Sequence, residues 1–192
     1  MRLTPLPNLP PQGGRDKQAS AWGPLIKSPV IRIRPATPGD GAFIERVHRE
    51  AVRGIAHGPY SRAELESWIA GLHPDRYRQA MDRQGERMLL AEAPGPGVVG
   101  FCSWRDRRVI GLYVLPGFTG RGIARRLLRM AEAAIAAAGH GEVTLGASLP
   151  ALAFYQRCGY RVTYRHDWQT RGGLVLPVAD MAKTLASPRV GT

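Results

Sequence analysis

Leu112-Tyr113-Val114-Leu115-Pro116-Gly117-Phe118-Thr119-Gly120-Arg121-Gly122-Ile123-Ala124 runs from a short apolar stretch, through a proline and a glycine-rich turn, directly into Arg125-Arg126-Leu127-Leu128. The first part reads as a buried strand, and the last part reads as a helix opening near Arg121. The leading N–H groups of a helix have no partner inside it, and the macrodipole places about half a positive charge there. Small residues let a ligand approach that backbone closely. A strand–turn–helix of this composition is built to hold a diphosphate.

Three phosphate-binding patterns compete for the segment. A Walker A loop needs G-x-x-x-x-G-K-[ST], and Gly117 and Gly122 have its spacing. Ile123 and Ala124 then stand where Lys and Ser/Thr must hold the outer phosphates and magnesium, so the pattern fails. A dinucleotide loop needs G-x-G-x-x-G, and Arg125 stands where its third glycine lets helix and strand touch. The third pattern, Q/R-x-x-G-x-G/A, cradles the pyrophosphate of coenzyme A. Here it is Thr119-Gly120-Arg121-Gly122-Ile123-Ala124, with Thr119 replacing Arg or Gln.

About 30 residues downstream lies Ser148-Leu149-Pro150-Ala151-Leu152-Ala153-Phe154-Tyr155-Gln156-Arg157-Cys158-Gly159-Tyr160. It follows N-x-x-A-x-x-F-Y-x-x-x-G-F/Y, with Ser148 in place of Asn. The two motifs, in this order and spacing, resemble the GCN5-related N-acetyltransferase (GNAT) superfamily over residues 30–186. Within it, residues 31–40, 60–68 and 172–185 resemble a subgroup of small, mostly uncharacterised bacterial enzymes. The resemblance implies acetyl-CoA as co-substrate, no metal, and an acetyl group passed to a primary amine of a small molecule or protein. It implies that backbone groups of Leu112, Tyr113 and Val114 meet the pantetheine arm and acetyl carbonyl, and that Ser148 falls where the family's Asn meets the arm. The pyrophosphate is assigned to Thr119, Gly120, Arg121, Gly122, Ile123 and Ala124, with Arg125 or Arg126 adding a charge-assisted bond.

Composition fits this picture. At 192 residues and 44% hydrophobic, the chain can fill one core and carry an extra segment. Cys102 and Cys158 stand far apart without a C-x-x-C, and the five histidines show no metal-ligand spacing. These features, with no signal-peptide pattern or apolar span, lead us to expect a cytoplasmic protein. The formal net charge of +12 calls for anionic partners, which one coenzyme A does not account for. No aromatic-plus-basic cluster marks a nucleic-acid surface. A nucleic-acid-associated protein and a non-catalytic acyl-CoA-binding module stay as alternatives, and a homodimer stays open.

Residues 1–29, with Pro5, Pro7, Pro10, Pro11, Pro24 and Pro29, read as a flexible tail, and 187–192 as a second one. The expected order is a strand at 30–34, a helix capped by Asp40, a second helix capped by Ser61 with Glu64 in a capping box, and a third over 74–83. Strands at 88–93, 98–104 and 109–115 follow, then the helix to Ala138, a strand at 143–147, and a helix from Pro150 to Arg157. Strands at 160–168 and 174–185 close the chain. This β-α-α-β-β-β-α-β-α-β-β order predicts an α/β fold, a twisted mixed sheet of six or seven strands with helices on both faces. On the first helix, His48 is read as structural; Phe154 is read as core.

Acetyl transfer to an amine needs a held cofactor, a polarised carbonyl, a neutral amine and a stabilised thiolate. Tyr155 is the expected general acid: a phenol of pKa about 10 donates to a thiolate whose conjugate pKa is about 8.5. Many relatives place a Glu on the strand before the loop, where this chain has Val109, Ile110 and Gly111. The base is therefore open among Glu92, His57, His166, Asp167 and a water chain. Cys102 lacks a His partner in sequence, and Ser148 lacks G-x-S-x-G, so neither reads as a nucleophile.

Overall fold

A computed structural model describes residues 30–55 and 58–185. The tails expected at 1–29 and 187–192 lie outside the described residues. Seven strands form one sheet: β1 (Arg32–Pro35), β2 (Arg87–Ala93), β3 (Gly97–Arg105), β4 (Arg108–Val114), β5 (Glu142–Ser148), β6 (Arg161–Gln169) and β7 (Val175–Thr184). Their spatial order is β1-β2-β3-β4-β5-β7-β6. Only β4 and β5 pair in parallel; every other neighbour is antiparallel. The helices are α1 (Gly41–Arg53), α2 (Arg62–Ile69), α3 (Pro74–Gln84), α4 (Ile123–Ala137) and α5 (Leu152–Arg157).

The middle strand shows why helices flank both faces. Every residue from Val98 to Trp104 is buried, which an alternating strand allows only when both faces are covered. Gly100 and Phe101 are adjacent and so face opposite ways. A Cβ at Gly100 would meet Ile123 of α4 at 3.6 Å. The Phe101 ring lies 5.9 Å from the His48 ring of α1. α4 thus covers one face and α1 the other. Ile44, Val47 and Val52 of α1 and Leu127, Leu128, Ala131 and Ile135 of α4 are the fully buried stripes that make this favourable.

Two ties place the C-terminal part. Glu132 of α4 is buried, accepts from the Tyr160 hydroxyl at 2.9 Å and pairs with Lys183 of β7 at 2.8 Å. At the other end Ser61 accepts from Glu64 N–H at 3.3 Å, while the Glu64 carboxylate accepts from Ser61 N–H at 2.6 Å, the expected capping box.

Several boundaries differ from expectation for local reasons. The first strand is found at Arg32–Pro35 rather than 30–34. Asp40 occupies the N-cap position of α1 but does not cap it. Its carboxylate turns back to accept from Thr37 N–H at 2.8 Å and to pair with Arg34 at 2.7 Å. The Arg34 guanidinium is the main reason this carboxyl is held well below the usual carboxylate range. The helix after the glycine-rich turn opens at Ile123, two residues later than read, because Gly122 is left-handed at φ 76° and serves as its N-cap.

Candidate active site

β4 and β5 are joined only at Arg108↔Thr144 and Val109↔Leu145. Beyond that point they part, and the β5 side of β4 from Ile110 to Val114 has no strand beside it among the described residues. The fork encloses a slot of about 240 Å³, walled by Leu112, Tyr113, Val114, Ser148 and Tyr155, with Ala51 of α1 and Ile55 just beyond that helix. Four predicted cofactor residues of the strands and the predicted acid are therefore brought together in one wall.

The chain leaves β4 and enters the turn. Thr119 N–H and its hydroxyl both donate to the Pro116 carbonyl, at 3.3 and 2.9 Å, so Thr119 shapes the turn from within. Gly120 and Gly122 have φ of 73° and 76°, a region where other residues are strained. Among the described residues, the amides from Gly120 to Arg125 make no backbone hydrogen bond. Arg126 is the first to bond back, to the Gly122 carbonyl at 3.0 Å. This leaves a row of free donors at the positive end of a 15-residue helix. Arg126 donates its guanidinium to the Ile31 carbonyl at 2.8 Å, which ties it to the strand start instead of the turn mouth. Arg121 lies over the Phe118 ring at 4.9 Å. Arg125 has no ion partner among the described residues.

Tyr155 is buried and lines the slot, and burial pushes its phenol pKa well up, so it stays a donor. Its ring lies edge-on to Phe154 and Tyr160, with centroids 5.2 and 5.6 Å apart. The core reading of Phe154 is corrected: it is only half-buried, and Tyr155 is the inward member of the pair. A six-residue helix preceded by a 3-10 turn at Leu149–Ala151 sets this facing.

A second cavity of about 380 Å³ opens from the slot on the α1 face. Trp68, Gly111, Tyr113 and Ser148 line both. His48, read as structural, is largely buried at the wall of this cavity. Its ring stacks on Tyr113 at 3.9 Å, its Nδ1 lies 2.9 Å from the Tyr77 hydroxyl, and its buried Nε2 has no partner among the described residues. Burial first, and then the charges of Arg76 and Arg49, push its pKa down to about 3, so it is neutral. Burial likewise holds the Tyr77 phenol protonated.

Of the open base candidates, His166 lines this cavity. It stands on β6, the edge strand, 3.4 Å from Asp180 of β7, whose carboxylate also takes Arg108 at 3.0 Å. Glu92 is drawn to Arg34 at 2.8 Å, away from both cavities. Asp167 lines neither cavity. His57 lies outside the described residues. Neither Arg76, Tyr77, Trp168, Arg171 nor Asp180 carries a motif in the sequence, and only the fold gathers them.

The cavity roof is latched. Ser67 of α2 meets Thr170 at 2.5 Å, and Gly172 N–H donates to the Ser67 carbonyl at 3.0 Å. The Trp68 and Trp168 rings meet edge-on at 5.7 Å. Tyr60 donates to the Pro177 carbonyl at 2.6 Å and accepts from Leu149 N–H at 2.9 Å, which joins the connection before α2 to β7 and the entrance to α5. Cys102 and Cys158 are both free thiols. Among the described residues no cluster of three His, Cys, Asp or Glu side chains could hold a metal. No described helix is long and apolar enough to cross a membrane.

Comparison with known proteins agrees with this architecture. Residues 56–185 match the acetyltransferase (GNAT) domain family. The chain is 27% identical over 142 residues to the uncharacterized N-acetyltransferase YafP of Escherichia coli K12, covering 74% of this chain and 89% of that protein. It also superposes on a GCN5-related N-acetyltransferase from Rhodopseudomonas palustris with a TM-score of 0.73 and 27% identity, over 82% of this chain and 96% of the other. The fold is shared as well with the PaiA N-acetyltransferase of Thermoplasma acidophilum, solved with coenzyme A, at a TM-score of 0.66 and 24% identity over 81% and 99% of the two chains. With the family's model matching two-thirds of this chain and the β4–β5 fork in place, the chain belongs to the GNAT family and is an N-acetyltransferase.

Proposed function

We propose that this protein transfers the acetyl group of acetyl-CoA to a primary amine by direct attack in a ternary complex. The observation that carries this is the fork: two strands joined at two residue pairs and then parted, continuous with a turn whose amides are free. In this proposal the amides of Gly120, Arg121, Gly122, Ile123, Ala124 and Arg125 bind the pyrophosphate, and Arg125 adds charge. Thr119 closes the turn instead of reaching out. The open edge of β4 at Leu112, Tyr113 and Val114 pairs with the pantetheine arm, with Ser148 opposite. Acetyl-CoA supplies an activated thioester.

Tyr155 then donates a hydrogen bond to the sulfur as it becomes a thiolate. The attacking amine must be neutral, because an ammonium has no lone pair. As the C–N bond forms and the C–S bond breaks, the amine loses a proton, which passes to water or to His166, the one base candidate among the described residues that lines the second cavity. The test is thiol release. Acetyl-CoA with a panel of amines should release coenzyme A, and coenzyme A at 100 Kd should stabilise the fold by about 2.7 kcal/mol. Absence of any thermal shift with either acetyl-CoA or coenzyme A would overturn the proposal. A shift with no turnover of any amine would leave a coenzyme A-binding module.

A further inference from the structure

The second cavity carries an excess of cationic donors that the proposed reaction does not use. Three arginines line it, from three separate elements: Arg76 on α3, Arg108 on β4 and Arg171 at the tip of the β6–β7 hairpin. Two carboxylates face them, Asp180 and Glu86. Asp180 is already taken by Arg108 and His166. Arg76 and Arg171 have no ion pair or side-chain hydrogen bond among the described residues. Most arginines among the described residues also lack an ion pair, and Arg76 and Arg171 are set apart from those by lining a cavity. Unpaired guanidinia directed at a cavity are groups whose natural partner is a planar anion.

Two further observations point the same way. Burial is the main influence on Tyr77, Tyr113 and His48, and the charge of Arg76 is also felt by all three, so Arg76 stands close to the cavity floor. His48 Nε2 is buried without a partner. An orphaned buried polar atom costs about 1–3 kcal/mol, and a bound ligand can relieve it. Where the Tyr77 hydroxyl donates to Nδ1, the imidazole proton sits on Nε2, which makes a third donor. The wall also carries the aromatic side chains of Trp68, Trp168, Tyr113 and Phe101. Its volume of about 380 Å³ is at the small end of ligand pockets, enough for one compact molecule.

We propose that the acceptor is a small amine that also carries a carboxylate, of the α-amino-acid class with an apolar or aromatic side chain, held by Arg76 and Arg171 against the tryptophan wall. This rests on the acetyl-transfer function above. It disfavours polyamines, because two unpaired guanidinia repel a second ammonium.

The test compares amines that differ only in the carboxylate. Thiol release from acetyl-CoA is followed with L-phenylalanine against phenethylamine, L-leucine against isoamylamine, and L-methionine against 3-(methylthio)propylamine. Spermidine is included, as is the pair O-phosphoethanolamine and ethanolamine. Each amino acid should exceed its decarboxylated partner in kcat/KM by about tenfold to a hundredfold, the range of a charge-assisted hydrogen bond. The double variant Arg76→Gln, Arg171→Gln should bring that ratio near one, chiefly by raising KM, while Arg76→Lys should keep part of it. Because both side chains are unpaired and solvent-accessible, the stabilisation by coenzyme A should persist and report an intact fold.

Preference for the decarboxylated amines or spermidine, or a ratio the double variant leaves unchanged, overturns the proposal. Preference for O-phosphoethanolamine replaces carboxylate by phosphate and overturns the choice of class. Calorimetric binding of L-phenylalanine to the coenzyme A-saturated protein separates the two layers. Binding without turnover of any amine keeps the anion site and rejects acetyl transfer. Turnover of decarboxylated amines without such binding keeps acetyl transfer and rejects the anion site. Neither binding nor turnover rejects both.

Discussion

The slot and the cavity beside it share a wall and differ in how they are made. The slot takes one wall from the run of β4, which leads on into the glycine-rich turn and the first amides of α4, and it is faced by the end of β5, by Tyr155 and by Ala51 and Trp68. The cavity is mostly side chain. Its floor comes from α1, α2 and α3, its roof from β6 and β7, and its residues span His48 to Asp180. Backbone recognition needs glycines at fixed offsets, and such offsets are local. Side-chain recognition needs residues that meet only after the chain has folded. A ligand common to a whole family suits the first construction, and a ligand that changes between relatives suits the second.

The sharpest way to break the contrast is at the one side chain the slot depends on. Tyr155→Phe removes a donor and little volume. It should lower kcat by about 10²–10⁴, the range for a positioned acid, while coenzyme A still stabilises the fold. Stopped-flow thiol release gives the first quantity and thermal unfolding the second. Full activity would remove Tyr155 from the chemistry and leave the slot a purely backbone device.

The next effect falls on the turn. A Cβ at Gly122 would meet no atom within 4 Å, so space does not demand glycine there; its φ of 76° does. A β-branched residue at that angle costs about 1–2 kcal/mol or more and tips the helix entrance away from the phosphate. Gly122→Val should therefore weaken coenzyme A binding by about tenfold or more, read as a reduced thermal shift at fixed ligand. An unchanged shift would mean that the free amides are not the anchor.

This contrast also explains what was legible in the sequence. Element order, the seven-strand sheet and the capping box at Ser61 follow from local periodicity and local hydrogen bonding. The position of the turn and of Tyr155 follows from two motifs. Misplaced edges have local causes too: Asp40 chose Arg34 over its helix, and Gly122 delayed the start of α4. His48 is a different case. Its place on an apolar helix face is correct, but its partners Tyr77 and Tyr113 arrive from α3 and β4, and nothing near it announces them. Arg76 and Asp180 were illegible for the same reason.

The cavity side can be disturbed separately. A Cβ at Gly172 would sit 2.5 Å from Ser67 Oγ and 2.8 Å from Ser67 Cα, so the hairpin tip cannot stay against α2 with any larger residue. Overpacking of this kind costs about 1–3 kcal/mol. Gly172→Ala should lower the urea midpoint and raise the acceptor KM, with coenzyme A binding unchanged. Equal loss in both ligands would mean that the two regions open together.

The smallest effect concerns His48, and its sign follows from linkage. The native imidazole is held neutral down to about 3, against 6.5 for the free side chain, chiefly by burial. Above pH 6.5 native and unfolded chains carry the same charge at this site. Below it the unfolded chain takes up a proton and the native chain does not, so stability falls as the pH falls, and the loss continues to about pH 3. One unit below the unfolded value the loss is about 1.4 kcal/mol. Urea unfolding at about pH 7.5 and about pH 5.5, one unit either side of the free value, should show this loss in the parent and lack it in His48→Phe, whatever the variant's stability at the higher pH. The difference between the two slopes isolates His48 from the carboxylates, whose titration lies lower. Parallel slopes would mean that His48 accepts a proton in the folded state, and then the cavity floor would be a titrating group facing the acceptor rather than a fixed neutral donor.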